Sequence, residues 1–438
     1  MTIKKTQLYT LMGTVSLFLL LYYCYMNSLR RYFIPMSSVT VPLILAFVLF
    51  SVVLTNDGKI RICGQTDKLL CGTWVLIAAF ILIDNYDLAS SLASGGVIQL
   101  CVMIAFMLFM NRSDSWIEQW LSIAVLFTFI NAAATIVFYF NGNLYNQFIK
   151  IFFDYSLIPT LQKYYEMGYM SGLWSHFSSN GIVLGMGALV IFEKTRQLFN
   201  DKEDKKYTKA KKVAYIVCLL VVIYALFLSS KRSPLLAAIA AVVITLLISS
   251  GKNVMKRLFI ITISCVAVFL LYLLAVKYIP GMDTIANKFM ALEDSDAGVL
   301  NGRELLWQFA IDMFDKSPIL GLGYGSYEAL TKSAALFTNT AHNQYLQILS
   351  ELGLVGLILY AVAFITGVIY SAILIIKLVS NNGDKKDISM LCVSLELQIF
   401  VLIYSVTASS LTMYSVLIPY LLACTVPRVI NYKYTNKL

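Results

Sequence analysis

The sequence predicts an all-α integral membrane protein with about 12 transmembrane helices, both termini cytoplasmic, and a large external loop carrying short amphipathic helices. Three observations predict it. Of the 438 residues, 59% are hydrophobic and 13% charged, with a mean hydropathy of +0.75, whereas a soluble domain is about half apolar and about a quarter charged. The apolar residues come in blocks near the ~20 residues that a helix needs to cross a bilayer. Lys and Arg collect in alternate connections between those blocks, as the positive-inside rule requires.

The blocks centre in Leu8–Tyr25, Val39–Thr55, Leu70–Ile83, Gly95–Met110, Leu121–Phe140, Gly181–Phe192, Val213–Leu228, Leu235–Ser249, Leu258–Val276, Leu354–Ile376, Leu391–Ser405 and Ser410–Val426. The first is no cleaved signal peptide: it lacks a small-residue cleavage site, and further spans follow it. With the N-terminus inside and the spans alternating, roughly two thirds of the 34 Lys and Arg lie on the inner side. The basic connection 193–212 is then a topology anchor, and the formal charge of +10 carries no indication of nucleic acid. The whole chain, 1–438, reads as one polytopic membrane domain. Its eight cysteines show no paired C-x-x-C spacing, and there are only two histidines, His176 and His342, so neither redox chemistry nor a metal site is expected.

Two outer connections are too long to be linkers. The first, 141–176, spaces Tyr145, Phe148, Phe152, Tyr155 and Ile158 as short amphipathic helices along the membrane surface, and ends in the polar stretch Gly172 to Gly181. The second, 278–352, is the richest part of the chain. Pro280-Gly281 ends the preceding helix, and Glu293, Asp294 and Asp296 form an acidic patch. Asn301-Gly302 caps an amphipathic helix in which Arg303 and Trp307, four residues apart, share a face; Lys316-Ser317-Pro318 stops it. Gly321-Leu-Gly323-Tyr324-Gly325 reads as a flexible turn that exposes its backbone.

From His342 to Ile376 a single helix would be about 50 Å long, too long for one crossing of a core near 30 Å. Gly353 and Gly356 offer the break, leaving a short external helix from His342 to about Leu352. Asn339 or Thr340 is its expected N-cap, which puts His342 in the first turn. Between two spans lies only Ser229-Ser230-Lys231-Arg232-Ser233-Pro234, two cations at the membrane surface on the disfavoured side. Glu396, a carboxylate inside a span, is a functional candidate by default; beside Ser394 and Gln398 it also reads as a tie between helices.

All the outer features fall on one side. Arg232, Arg303 and His342 come from different segments that converge under the long loop. If the substrate is a sugar carried on a lipid pyrophosphate, the leaving group is polyanionic, and these residues suit it. Arginine is always charged and forked for phosphate oxygens, and cations placed where charge develops are the largest catalytic term. His342 at a helix N-terminus stays unprotonated and serves as the base for an acceptor hydroxyl. The structural alternatives are a surface arginine pairing with lipid phosphate, a snorkelling Lys231–Arg232 pair and interface aromatics at Trp174 and Trp307.

Three stretches, Asn-Gly-Arg303-x-x-x-Trp307, Ser-Pro318-Ile-Leu-Gly321-Leu-Gly323-Tyr-Gly325 and Ala-His342-Asn343-Gln-Tyr345-Leu-Gln-Ile-Leu-Ser-Glu351-Leu-Gly353-Leu-Val-Gly356, come in an order that resembles the O-antigen ligase and Wzy-type polysaccharide polymerase family. Ser229-Ser-Lys-Arg232-Ser is similar to the family's short arginine turn, and His176-Phe-Ser-Ser-Asn180 to its Phe-x-x-Asn element. The resemblance implies a fold akin to the all-helical (GT-C-like) glycosyltransferases that use lipid phosphosugars. It implies a metal-independent, cofactor-free enzyme of the bacterial cytoplasmic membrane, working on its external face. The catalytic roles fall on His342, Arg303 and Arg232; substrate binding is expected of Asn180, Asn343, Tyr345, Trp307 and Tyr324, and of Lys231, a second cation beside Arg232 by which the sequence departs from the family's turn. The expected partners are an undecaprenyl pyrophosphate-linked oligosaccharide and membrane lipids, with a flippase and a chain-length regulator as companions. The expected activity is polymerisation of repeat units into O-antigen, capsule or exopolysaccharide. A ligase moving the finished glycan to a lipid or wall acceptor fits the same motifs. A flippase is the reading from another class, though no internal repeat supports it.

Overall fold

The computed structural model describes residues 5–26, 40–55, 58–93, 96–110, 115–200, 207–251, 254–259, 262–263, 270, 277–278, 303–334 and 340–435. The described chain is nearly all helix: α1 (Lys5–Met26), α2 (Thr40–Thr55), α3 (Gln65–Ile83), α4 (Leu88–Ala93), α5 (Gly96–Phe109), α6 (Ser115–Phe140), α7 (Gly142–Phe152), α8 (Ile158–Glu166), α9 (Phe177–Asn200), α10 (Tyr207–Leu228), α11 (Arg232–Ile248), α12 (Arg303–Lys316), α13 (Ser326–Ser333), α14 (Gln344–Ser380), α15 (Lys385–Tyr404) and α16 (Tyr414–Thr435). Six helices, α3, α6, α10, α14, α15 and α16, are long and apolar enough to cross a membrane, and α1, α2, α5 and α11 are shorter apolar helices. Each block predicted from the sequence falls on a helix except Leu258–Val276, which lies largely outside the described residues, as do Pro280-Gly281, the acidic patch and Asn301-Gly302.

α15 is the axis of the bundle. Its face carries Leu391, Leu395, Phe400 and Val401 at or near zero exposure, and it packs against α9, α11, α14 and α16. A cluster of Trp74, Tyr360, Phe364 and Tyr420, with ring centroids 5.6–6.4 Å apart, locks α3, α14 and α16 together. The end at which His176, Lys231 and His342 lie is the outer end in the topology that the bias of Lys and Arg predicts.

The connection 141–176 holds the short helices α7 and α8, which form a small core of their own. Tyr145, Ile149 and Leu161 bury against Phe138 and Phe153 on top of α6. The basic connection is shorter than 193–212, because α9 continues to Asn200 and α10 begins at Tyr207. α14 breaks where the length argument requires: Gly353 has φ 61 and ψ −161 inside it.

The Gly-rich turn is not flexible. It is docked on that break. The amides of Leu322 and Gly323 donate to the carbonyls of Ser350 and Glu351, and the amides of Leu354 and Val355 donate to Pro318 and Ile319. A kink leaves backbone groups of its helix unpaired, and here the turn supplies their partners. Gly321 (φ 82) lies so close to the Glu351 backbone, and Gly353 to Ile319, that a side chain at either position has no room.

Candidate functional site

Four helix starts meet at the outer end, each led by a basic or imidazole side chain. α9 is preceded by His176, α11 by Lys231 with Arg232 as its first residue, α12 starts at Arg303, and α14 follows His342-Asn343. A helix N-terminus carries about half a positive charge, so the starts and the side chains add to one positive cup.

His342 lies where Arg303 and Lys231 both act on it, and His176 lies where Lys231 and His342 both act on it. Burial is the first cause in each case, followed by those neighbours, and each imidazole is pushed down to about 4. Both rings are therefore neutral near pH 7. His342 is not in the first turn of its helix, as the sequence suggested. Asn343 is the N-cap in place of the expected Asn339 or Thr340, its Oδ1 accepting from the amides of Tyr345 (3.0 Å) and Leu346 (3.2 Å); Asn339 lies outside the described residues. His342 precedes the cap in the left-handed region, φ 50. Ser230, directly before Lys231, has φ 55. Both are sparsely populated for residues with a side chain, at a cost of order 1–3 kcal/mol each.

The other predicted residues build the cup from outside. Trp307, one turn on from Arg303, donates its indole N–H to the carbonyl of Ala341 at 3.1 Å and so fixes the residue before His342. It is not a free interface aromatic, and Trp174 is 6% exposed within the core. Tyr345 donates its hydroxyl to the Leu402 carbonyl at 2.8 Å, tying α14 to the end of α15. Tyr324 takes part in the backbone pairing of its turn with Asp84 and Tyr86. Asn180 is fully buried: it donates to Met170 O at 2.8 Å and to Thr135 Oγ1, and accepts from Asn131 Nδ2 at 2.7 Å. It therefore holds the 170–176 stretch in place. Arg303 forms an ion pair with no carboxylate among the described residues.

His176 is the residue that motif reading left without a role. Its Nδ1 accepts from the Ser178 amide at 3.0 Å, which puts the ring proton on Nε2. Its ring stacks on Phe177, and Lys231 Nζ sits 5.2 Å from the centre of that same Phe177 ring. The signal was present in the sequence: the first of the chain's two histidines stands immediately before an outer helix start.

Residues 216–361 match a family model described as O-antigen ligase. Over that stretch the chain is similar to the O-antigen ligase family. The matched third runs from α10 through the Lys231–Arg232 turn, Arg303 and His342 into α14, and His176 and Asn180 lie before it. The O-antigen ligase match and the apolar helices together make this a multi-pass membrane protein of the glycan-processing kind. No curated protein matches the chain closely.

Proposed function

We propose that the protein is a membrane glycosyltransferase that polymerises undecaprenyl pyrophosphate-linked repeat units on the external face of a bacterial cytoplasmic membrane. The observation that carries this is the positive cup, four helix starts with Arg303 and Lys231 acting on two neutral imidazoles and Arg232 as the first residue of the helix that Lys231 precedes. A pyrophosphate brings two or three negative charges, and such a cup matches it without reorganisation. In the reaction, the acceptor hydroxyl oxygen bonds to the anomeric carbon of the donor sugar. The bond from that carbon to the phosphate oxygen breaks, its electron pair leaving with the lipid pyrophosphate, and the hydroxyl proton passes to His342. Arg303, Arg232 and Lys231 hold the leaving group. The bound pyrophosphate offsets the cations that depress His342, so the imidazole becomes a stronger base once the donor is in place.

A ligase uses the same donor chemistry, and the description of the matching family favours it as the second reading. Purified protein in detergent, given only the lipid-linked repeat unit, separates the two. A ladder of longer lipid-linked glycans, lost in His342→Ala, is the expected result. A product that appears only after a second acceptor lipid is added makes the protein a ligase. Movement of the intact substrate across liposomes without any new glycosidic bond overturns both readings.

A further inference from the structure

Beside the cup lies a cavity of about 340 Å³, bounded by the start of α5, the Tyr324–Gly325 turn, the first turns of α14 and the start of α16. It shares a wall with the cup: Gln344, two residues after His342, lines it, its Oε1 accepting from the Leu411 amide at 2.8 Å. Two of its lining side chains are amides with an unmet atom. Gln99 is 1% exposed and its Nε2 has no partner; Gln347 is 4% exposed and its Oε1 has no partner. A buried donor or acceptor left unpaired costs about 1–3 kcal/mol, so a cavity walled by one of each is built for an occupant that can both donate and accept.

Charge narrows the class of that occupant. None of the described lining residues is Lys, Arg or His, so the cavity is no second phosphate site. Its buried carboxylate, Glu351, already accepts from the Gly325 and Tyr327 amides and from Gln347 Nε2. Its other carboxylate, Glu328, pairs with Lys332 at 2.6 Å. What remains open among the buried lining groups is a pair of amides between tyrosine rings, Tyr324 and Tyr360. A sugar ring is the matching object, with hydroxyls that donate and accept and with apolar C–H faces for aromatic walls.

We infer that this cavity is a subsite for one uncharged sugar of the lipid-linked repeat unit, read by Gln99 and Gln347. The inference rests on the glycosyltransferase reading above, and it says where glycan specificity is set: in the bundle wall beside the cup rather than in the charged cup itself.

Binding of two lipids tests it, undecaprenyl pyrophosphate and the same lipid carrying the repeat unit, on wild type, Gln99→Leu and Gln347→Leu. The subsite predicts that each substitution weakens the glycan-bearing lipid at least tenfold and leaves the bare pyrophosphate lipid unchanged. It also predicts that Gln99→Leu keeps or raises the thermal midpoint, because an unmet buried amide is removed; a merely structural glutamine would lower it. Competition by the free repeat oligosaccharide identifies the sugar's source. If a variant loses that competition the subsite belongs to the acceptor, and if the competition persists it belongs to the donor. Equal weakening of both lipids, no weakening of either, or a lowered midpoint in both variants with unaltered selectivity overturns the inference. Wild type that binds neither lipid overturns the functional reading as well, a result distinct from all of these.

Discussion

The two ends of the bundle treat charge in opposite ways. At the inner end cations are matched with carboxylates inside the fold. Arg428, 1% exposed, pairs with the equally buried Asp67 at 2.5 Å and donates to the Arg61 carbonyl. Lys433 reaches Asp387 at 2.9 Å, Arg196 reaches Glu193 at 2.7 Å, and Lys386 pairs with Glu118. At the outer end Arg303 has no such partner among the described residues, and the imidazole it acts on, His342, is driven neutral. Charges cancelled within the chain tie helices together. A cation without such a carboxylate lowers stability on its own and rises in value when a polyanion arrives.

The comparison breaks most visibly at the outer end. His342→Ala should lower turnover about 10²–10⁴-fold, and Arg303→Ala about 10²–10³-fold, each with little change in thermal midpoint. Rates of ladder formation at saturating donor, beside melting curves of the same preparations, check both. An outer substitution that costs stability and spares turnover would make the cup structural.

The inner end should give the reverse. Arg428→Met leaves Asp67 buried without its partner and should cost about 3–5 kcal/mol of stability, whereas pairing it with Asp67→Leu should recover much of that. Denaturation in detergent reads the effect, and activity per folded molecule should stay near wild type. A single inner substitution that abolishes turnover in folded protein would erase the distinction between the ends.

A smaller stability loss is expected at the docked turn. Gly321→Ala puts a side chain at φ 82 against the Glu351 backbone and should cost about 1–3 kcal/mol from conformation alone. Activity should fall with it, because the turn fixes the start of α14 and hence His342. Limited proteolysis between Pro318 and Gly325 reports the undocking; an unaltered cleavage rate would show the turn to be independent of the kink.

Much of this was legible in the sequence, for reasons of physics. Bilayer thickness makes spans readable as apolar blocks. The same thickness made the break in α14 readable, since a helix running from His342 to Ile376 overshoots it, and Gly353 is where the backbone turns. Helical spacing put Arg303 and Trp307 on one face, and that face does meet the turn carrying His342. Features set by distant segments were not legible. The Asp67–Arg428 pair joins positions 361 apart in the chain. The role of the glycines depends on a kink they touch only in three dimensions. The cap at Asn343 displaced His342 out of the helix, because a polar residue next to the helix start won over the one four places earlier.

The pH profile sharpens the comparison with the smallest change. The free-site imidazole of His342 is held at about 4, first by burial, then by Arg303 and Lys231, against about 6.5 for an ordinary histidine. As a base it works unprotonated, so kcat/KM, which reports the free enzyme, should hold constant from neutral pH down to about 5 and fall only below that. kcat reports the donor-bound enzyme, where pyrophosphate offsets the cations and favours the protonated ring. Its acid limb should therefore lie at higher pH than that of kcat/KM. Arg303→Gln removes one of the depressing charges and should move the kcat/KM limb upward by up to about one pH unit, about 1.4 kcal/mol, whatever it does to the rate at the plateau. A Lys433→Gln substitution at the inner end should leave both limbs in place. Rates from pH 4 to 8 for the three proteins decide it: if Arg303→Gln leaves the limb unmoved, or Lys433→Gln moves it equally, His342 does not feel the cup as the outer geometry requires.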